Sequence, residues 1–392
     1  MEICEKSKCT GCHACYNVCP KGCIDFEFDE YGFCFPVVDE RECMECNLCV
    51  RSCPANNESV FSEPEEVYAA WNTNTPERKA SASGGVAMAM YEEIVSAGGV
   101  VYGVCMEEKF WLRFSRADKR EDLSKFQGSK YAQADVGDVF KSVKADLENG
   151  REVLFIGTPC QVDGLKFFLK KMYENLYVVD LICHGVPSIK YLTEHIDGIS
   201  KKYDLKPKRV GFREEDDYKF ILYGDESADK IYEKTAFCDE YMLGFLKSLF
   251  NRDSCYNCKY ANTKRVSDVT LGDFWGIGKK YKFDHYKGAV SLVLVNTDKG
   301  RDLMNLCKES LFMEPRTLDE ALMGNEQLNY PCKKHVNHEM FREIYREKGF
   351  DIAVGHSLEK ELKKGPIYYR KKLLKKRIKK LLAIFIKKYR GI

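Results

Sequence analysis

Cys9-Thr-Gly-Cys12-His-Ala-Cys15-Tyr-Asn-Val-Cys19-Pro20 returns 34 residues later as Cys43-Met-Glu-Cys46-Asn-Leu-Cys49-Val-Arg-Ser-Cys53-Pro54. Both stretches read C-x2-C-x2-C-x3-C-P, and this repeat decides how the first 54 residues fold. Two-residue gaps let three thiolates of a tight loop face one four-iron cube. The fourth cysteine, turned away by its proline, reaches the other cube. One cluster is therefore expected on Cys9, Cys12, Cys15 and Cys53, the other on Cys43, Cys46, Cys49 and Cys19. Structural zinc sites also use C-x2-C pairs, but zinc has no use for a third cysteine at the next step, or for the proline, in two copies. His13, between ligands, reads as a solvated loop residue. Cys4, Cys23 and Cys34 lie outside the pattern and read as ordinary buried or loop thiols.

Between the motifs, Cys23-Ile-Asp-Phe-Glu-Phe-Asp29 and Phe33-Cys-Phe-Pro-Val-Val38 alternate around Glu30-Tyr-Gly32, the signature of a small hairpin covering the clusters. The module is expected to end near Ser62, where Ser62-Glu-Pro-Glu-Glu66 makes a linker.

The chain has 392 residues, enough for two or three domains, and its 44% hydrophobic and 31% charged residues are the balance of a globular protein. No run approaches the 18 apolar residues of a membrane span, and no apolar stretch follows the first residues as a secretory signal, so a cytoplasmic location is expected. Nineteen cysteines in such a setting argue for metal or cluster ligation over disulfides, because the count is odd and reducing compartments disfavour pairing. They also hint at an oxygen-poor life. Net charge is +2, yet residues 363–390 hold 13 Lys or Arg and no acid, so the remaining chain is acidic.

From Val67 strands alternate with helices. Glu152-Val-Leu-Phe-Ile-Gly-Thr-Pro-Cys160 is an apolar run, a Gly/Pro turn and then a helical stretch to about Tyr173. Leu176-Tyr-Val-Val-Asp-Leu-Ile-Cys-His-Gly185 repeats the design before Pro187 and another helix, which implies parallel pairing. Cys160 and Cys183 would then sit just past the carboxyl ends of neighbouring strands, where open α/β sheets place their sites. Cys255-Tyr-Asn-Cys258 lies on a polar, basic loop-like segment. Its spacing suits half a zinc site or a redox dithiol, and with Cys160 and Cys183 it would make a third iron–sulfur site. Cys105, Cys238, Cys307 and Cys332 read as buried small hydrophobes.

Ser81-Ala-Ser-Gly-Gly85 precedes the helical Val86-Ala-Met-Ala-Met-Tyr, so its amides either greet a phosphate or form a plain serine-capped turn. Phe126-Gln-Gly-Ser-Lys-Tyr-Ala-Gln133 gathers a turn glycine, a hydroxyl, a cation and a ring, a set that suits a nucleotide. Asp268-Val-Thr-Leu-Gly-Asp-Phe-Trp-Gly276 reads as a strand emptying into an aromatic turn. The following Gly276-Ile-Gly-Lys279 fails the P-loop test, because Gly272 is misplaced and Lys280 stands where Ser or Thr is required. No G-x-G-x-x-G opens a helix after a strand either, which argues against a nicotinamide site or an NTPase.

Taken together, Ser81-Ala-Ser-Gly-Gly, Gly128-Ser-Lys-Tyr, Gly157-Thr-Pro-Cys-Gln, Cys183-His-Gly-Val-Pro-Ser, Cys255-x2-Cys258 and Ser267-Asp-Val-Thr-Leu-Gly-Asp-Phe-Trp resemble the coenzyme F420 hydrogenase/dehydrogenase beta-subunit family over about residues 65 to 340. The leading module matches members that carry a fused 2[4Fe-4S] ferredoxin domain. The resemblance implies an α+β and α/β architecture. A ferredoxin-like domain (1–62) would precede a mixed α/β flavin-binding domain (63–345) and a basic helical tail (346–392). It implies an oxidoreductase holding FAD that passes electrons between 4Fe-4S clusters and a small organic two-electron substrate such as the deazaflavin. The donor would be ferredoxin or a partner subunit, and the direction could be reversed. By position, Cys160, Cys183, Cys255 and Cys258 would hold a third 4Fe-4S cluster near the flavin. Ser81, Ser83, Gly84 and Gly85 would line the FAD pyrophosphate, with Gly128, Ser129, Lys130 and Tyr131 beside the flavin or its phosphates. Lys130 could neutralise reduced flavin or bind phosphate. His184 could supply a proton or hydrogen-bond a sulfur or carbonyl. A rival reading is an electron relay with no substrate of its own, serving a partner enzyme; another is a scaffold with structural clusters.

Gly365-Pro366 is read as the end of the domain, with a helix from Tyr368 to Arg390. Leu374, Ile378, Leu381, Leu382 and Phe385 fall on one face amid lysines, which suits either a helix lying on an anionic membrane surface or a solvated extension. Nucleic acid is the weaker partner, since no reading element accompanies the charge.

Overall fold

The structure, a computed structural model, describes residues 1–214, 217–224, 229–285 and 288–389, the side chains of 372, 375–377 and 379–389 excepted. Strands β1 (Ile24–Phe28) and β2 (Cys34–Val38) form the expected antiparallel hairpin, running from the Ile24–Val38 pair to Phe28–Cys34. Gly32 turns it at φ +81°, and a Cβ there would stand 2.5 Å from the Ser188 hydroxyl. The hairpin is thus pressed onto the rest of the protein.

The large body is built on strands β3 (Glu66–Asn72), β4 (Val100–Met106), β5 (Leu112–Ala117), β6 (Val153–Gly157), β7 (Leu176–Leu181), β11 (Val269–Asp273), β12 (Ser291–Val295) and β13 (Leu311–Pro315). They form one sheet in the order β13-β3-β12-β11-β7-β6-β4-β5. The four central neighbours β4, β6, β7 and β11 are parallel, and the outer pairings are antiparallel. β6 is buried at all five positions, as befits a strand covered on both faces. Strands β8 (Arg209–Glu214), β9 (Asp217–Tyr223) and β10 (Lys230–Thr235) make a separate antiparallel sheet that the sequence pattern does not announce.

Alternation along the central strands divides the core. Tyr102, Phe155 and Val178 pack with Tyr191, Phe250, Phe341 and Phe350 on one face. Val101, Leu154 and Val179 pack with Met88, Tyr91, Ile94 and Leu303 on the other. Cys12, Ala14, Tyr31 and Phe33 of the N-terminal module belong to the first of these cores. The segment expected as a linker is also stitched down: the backbones of Ser62 and Arg265 exchange two hydrogen bonds of 2.8 Å.

The end of the chain departs from its expected form. Instead of stopping at Gly365-Pro366, one helix runs from Glu359 to Tyr389 with Pro366 inside it. Gly365 lies against the Phe237 carbonyl with no room for a Cβ, and Tyr368 packs at a tilt against the Phe237 ring at 4.6 Å. Packing against that corner holds the helix through its proline. Leu374 and Ile378 are exposed, while the side chains of Leu381, Leu382 and Phe385 lie outside the described residues. Among the described residues no helix is long and apolar enough to cross a membrane.

Candidate electron-transfer sites

The two C-x2-C-x2-C loops each wrap a hollow. Cys9, Cys12, Cys15 and Cys53 line one, of about 360 Å³ in all, and Cys19, Cys43, Cys46 and Cys49 line the other, of about 330 Å³. Each hollow thus takes its fourth cysteine, Cys53 or Cys19, from the other loop. Among the described residues no three cysteine sulfurs lie within 4.8 Å of one another. Four sulfurs around one zinc would stand only about 3.8 Å apart, given Zn–S bonds of about 2.3 Å. The donor sets are too wide for a single zinc ion and suit a four-iron cube.

The surroundings correct three readings. His13 is buried in a left-handed turn at φ 61°, stacked on Phe26 with ring centroids 3.8 Å apart. Burial pushes it down to about 4, against the pull of Asp135, so it is a neutral packing ring and not a solvated loop residue. Cys4 lines the first hollow, and Cys23 lines the second with its sulfur 3.5 Å from that of Cys19. Each site thus has a fifth thiol, which spacing could not reveal because both lie outside the motif.

The first site faces inward. Cys12 packs on Gly164, in the helix Pro159–Leu169; a Cβ on that glycine would meet the Cys12 sulfur at 3.0 Å. The same helix opens with Cys160. Thr158 caps it through a reciprocal box with Gln161, and its hydroxyl lies 3.2 Å from the Cys160 sulfur. Because β6, β7 and β11 are parallel neighbours, Cys160, Cys183 and the Asp273–Trp275 turn share one sheet edge.

Cys255 and Cys258 join them from the short turn Asp253–Asn257. Cys183 lies within electrostatic reach of Cys160, Cys258 and Cys332, and Cys255 within reach of Cys183, Cys258 and Cys332. Burial raises each of them, Cys258 to about 11. Cys332 was expected only to fill space. Buried as it is, it accepts from Asn251 Nδ2 at 3.4 Å and reaches the Cys255 carbonyl at 3.5 Å. The Gly185 amide donates to Cys183 at 3.4 Å.

The candidate flavin residues approach this edge from the other side. Gly84 closes so tightly on β3 and β12 that a Cβ would collide with the Ala70 carbonyl. Its amide donates to the Ser291 hydroxyl at 2.9 Å, and Ser83 shares that hydroxyl. The Ser81 hydroxyl turns back to the Glu77 carbonyl, and Gly85 stands at φ 85° as the cap of the helix Val86–Ser96. Beside them the buried Asn72 side-chain nitrogen has no partner. The turn at Gly128-Ser129 is joined to this region by Gln127, which donates to Glu77.

Lys130 Nζ caps the carbonyls of Phe126, Gln127 and Gly128, and burial pulls it down to about 8. Tyr131 stacks on Phe245 at 4.7 Å, and His184 meets the edge of the same ring at 5.4 Å. His184 shares a hydrogen bond with Ser248 at 3.3 Å, and burial lowers its pKa. Nearby, Arg213 donates through Nη1 to both oxygens of Asp273 and lies over Tyr218 and half-exposed Trp275. Sequence reasoning missed this cation and these rings; only the aromatic turn after β11 pointed to them.

Paired cluster hollows fixed against a sheet edge that carries further thiols can move single electrons, which makes this an iron–sulfur electron-transfer protein. A family model described as 4Fe-4S dicluster domain matches residues 8–57. Two further models, for the N-terminal and the C-terminal parts of the coenzyme F420 hydrogenase/dehydrogenase beta subunit, match residues 67–141 and 150–321. The chain belongs to the coenzyme F420 hydrogenase/dehydrogenase beta-subunit family and carries a dicluster domain in front. An uncharacterized protein of Methanocaldococcus jannaschii, MJ1349, is 24% identical over 197 residues, 42% of this chain and 53% of that protein. The chain thus matches about half the length of that relative. The uncharacterized ferredoxin MJ0722 of the same organism is 41% identical over 54 residues, 14% of this chain and 69% of the ferredoxin. A chain of the F420-reducing NiFe hydrogenase complex from Methanosarcina barkeri superposes with a TM-score of 0.48 at 16% identity, covering 72% of this chain and 93% of that one.

Proposed function

We propose that the chain is a flavin-dependent oxidoreductase that exchanges electrons between its dicluster domain and a small organic two-electron substrate, such as a deazaflavin. The observation that carries the reading is continuity. Cys12 of the inner hollow touches the helix that Cys160 opens, Cys183 and His184 share its sheet edge, and Tyr131 meets the ring that His184 meets. In this reading Cys160, Cys183, Cys255 and Cys258 hold a third 4Fe-4S cluster. Residues 1–62 and 63–345 act as the two working domains.

The residues near the proposed FAD fit a bound dinucleotide. Asn72 offers an unpartnered buried N–H, Gly128 leaves open space, and Lys130 is a cation that no carboxylate neutralises among the described residues. FAD would supply the conversion between one-electron and two-electron transfer. Lys130 would place positive charge where reduced flavin or its phosphates carry negative charge. His184 would hold a proton within the site, anchored by Ser248. Tyr218 and Trp275, held beside the Arg213–Asp273 ion pair, would offer an aromatic, polar face to a flat substrate.

The test is iron and flavin content of protein purified without oxygen, with its absorbance spectrum. About 12 irons and one FAD per chain are expected. About 8 irons and no flavin would sink the reading and leave an electron relay serving a partner enzyme. The basic tail is proposed to rest on anionic membrane surfaces. Flotation with vesicles containing phosphatidylserine, but not with neutral ones, is the expected result, and equal recovery with both would refute it.

A further inference from the structure

Arg252 is the deepest cation beside a cluster hollow. Its side chain is 1% exposed, and every direction of its fork is used. Nε donates to the Cys9 carbonyl at 2.7 Å, Nη1 to Gln133 Oε1 at 3.1 Å, and Nη2 to the Cys34 carbonyl at 2.8 Å and to the Cys9 sulfur at 3.4 Å. Phe35 lies beneath the guanidinium at 4.4 Å. Gln133 is itself fixed by donating to the Thr10 carbonyl at 3.0 Å. Gly11, within the first C-x2-C loop, must be glycine here: its φ is +64°, and a Cβ would stand 2.5 Å from Gln133 and 3.2 Å from Arg252.

Burial of a guanidinium's charge is costly without a counter-charge. The other deeply buried arginine, Arg265, has one, since Asp180 lies 3.0 Å away. Among the described residues no carboxylate lies within ion-pair distance of Arg252. The potential anion that it touches is the Cys9 sulfur, a ligand of the inner site. The outer hollow is different. Among the described residues its ligand sulfurs meet the Cys23 thiol and the amides of Lys21, Gly22, Cys23, Glu45 and Val50 but no cationic side-chain donor, and the nearby Lys21 and Met1 are exposed, where solvent and salt screen them.

We propose that Arg252 raises the reduction potential of the cluster held by Cys9, Cys12, Cys15 and Cys53 above that of the cluster held by Cys19, Cys43, Cys46 and Cys49. Reduction adds negative charge to a cluster, and a fixed buried cation in contact with a ligand sulfur stabilises that added charge. Arg252 thereby biases the module so that an electron rests on the inner side, beside Gly164 and Cys160. Its backbone ties the two regions together as well: its N–H donates to Val186, and its carbonyl accepts from Cys255. The inference rests on the dicluster domain alone and needs neither FAD nor a third cluster.

The experiment is a redox titration of the anaerobically purified full chain, followed by electron paramagnetic resonance, with iron counted on each sample. Wild type is expected to show two separate waves from the dicluster domain. In Arg252→Gln one wave moves to more negative potential while the other stays. The expected shift is at least tenfold in the reduction equilibrium, about 59 mV for a one-electron couple. Arg252→Lys keeps the charge and should retain most of the wild-type separation even where the lost fork weakens packing. Unmoved waves in an iron-replete Arg252→Gln protein would overturn the proposal. So would an Arg252→Lys wave displaced by tenfold or more, a result that also decides the matter where Arg252→Gln fails to hold its iron.

Discussion

The two cysteine loops of the N-terminal module are near copies in spacing, yet the fold treats them differently. Cys9 and Cys12 are buried under the sheet-bearing body, against Gly164 and Arg252. Cys43 and Cys46 are only half-buried, and Met44 between them is 58% exposed. A ligand motif fixes which cluster can form; the residues packed around it decide what that cluster can be used for. In the proposed reading the inner copy exchanges electrons within the chain and the outer one meets something outside it.

Breaking the inner side alone should have the largest effect. Gly164→Val puts a branched side chain onto the Cys12 sulfur and Cβ. Overpacking of this kind costs about 3 kcal/mol, and any retreat of the inner loop would be into the hollow that its cysteines line. Iron analysis is expected to fall by about four atoms while the resonance signal of the outer cluster survives. Equal loss of both signals would show that the two copies are not independently supported.

Next in size is the contrast within the thiol group at the sheet edge. Cys255→Ala is expected to lose about four further irons, whereas Cys332→Ala keeps them. The reverse result would make Cys332 the ligand.

A buried cation with carboxylates should behave unlike Arg252. His195 sits between Asp239 at 3.1 Å and Asp351 at 2.6 Å. Burial alone would lower its pKa, but these partners outweigh it and hold the ring up to about 10, above the ordinary 6.5. Its charge therefore stabilises the fold fully below pH 6.5, and that contribution is lost as pH rises through about 10. His195→Gln is expected to cost about 2 kcal/mol in denaturant unfolding at pH 6 and progressively less as the pH approaches 10. A pH-independent difference would contradict the ion pair.

The smallest effect is expected at the fifth thiols. Cys23→Ala removes the sulfur 3.5 Å from Cys19 and should shift only the outer wave, by less than Arg252→Gln shifts the inner one, with iron unchanged. A larger shift would rank the thiol above the cation.

Much of this arrangement is legible in the sequence because it is local. Two-residue cysteine gaps, the hairpin around Gly32, and the strand–turn–helix at Gly157-Thr-Pro-Cys160 are each written in one short continuous stretch of chain. What escaped is long-range. Arg252 reaches Cys9 across 243 positions, and Cys332 meets Asn251 across 81, so no spacing records either contact. Gly365-Pro366 misled because a proline that ends an isolated helix is tolerated where Phe237 clamps the adjoining turns. His13 misled because a histidine in a ligand loop looks exposed until Phe26 of the hairpin covers it.

The paired hydrogen bonds between the Ser62 and Arg265 backbones, with Tyr31 and Phe33 buried in the main core, make the front module a fixture and not a swinging carrier. Nicking the chain near residue 62 would therefore release no free ferredoxin, and lengthening that segment would leave internal transfer unaltered. Only encounters at the outer face would remain sensitive to protein concentration and to salt.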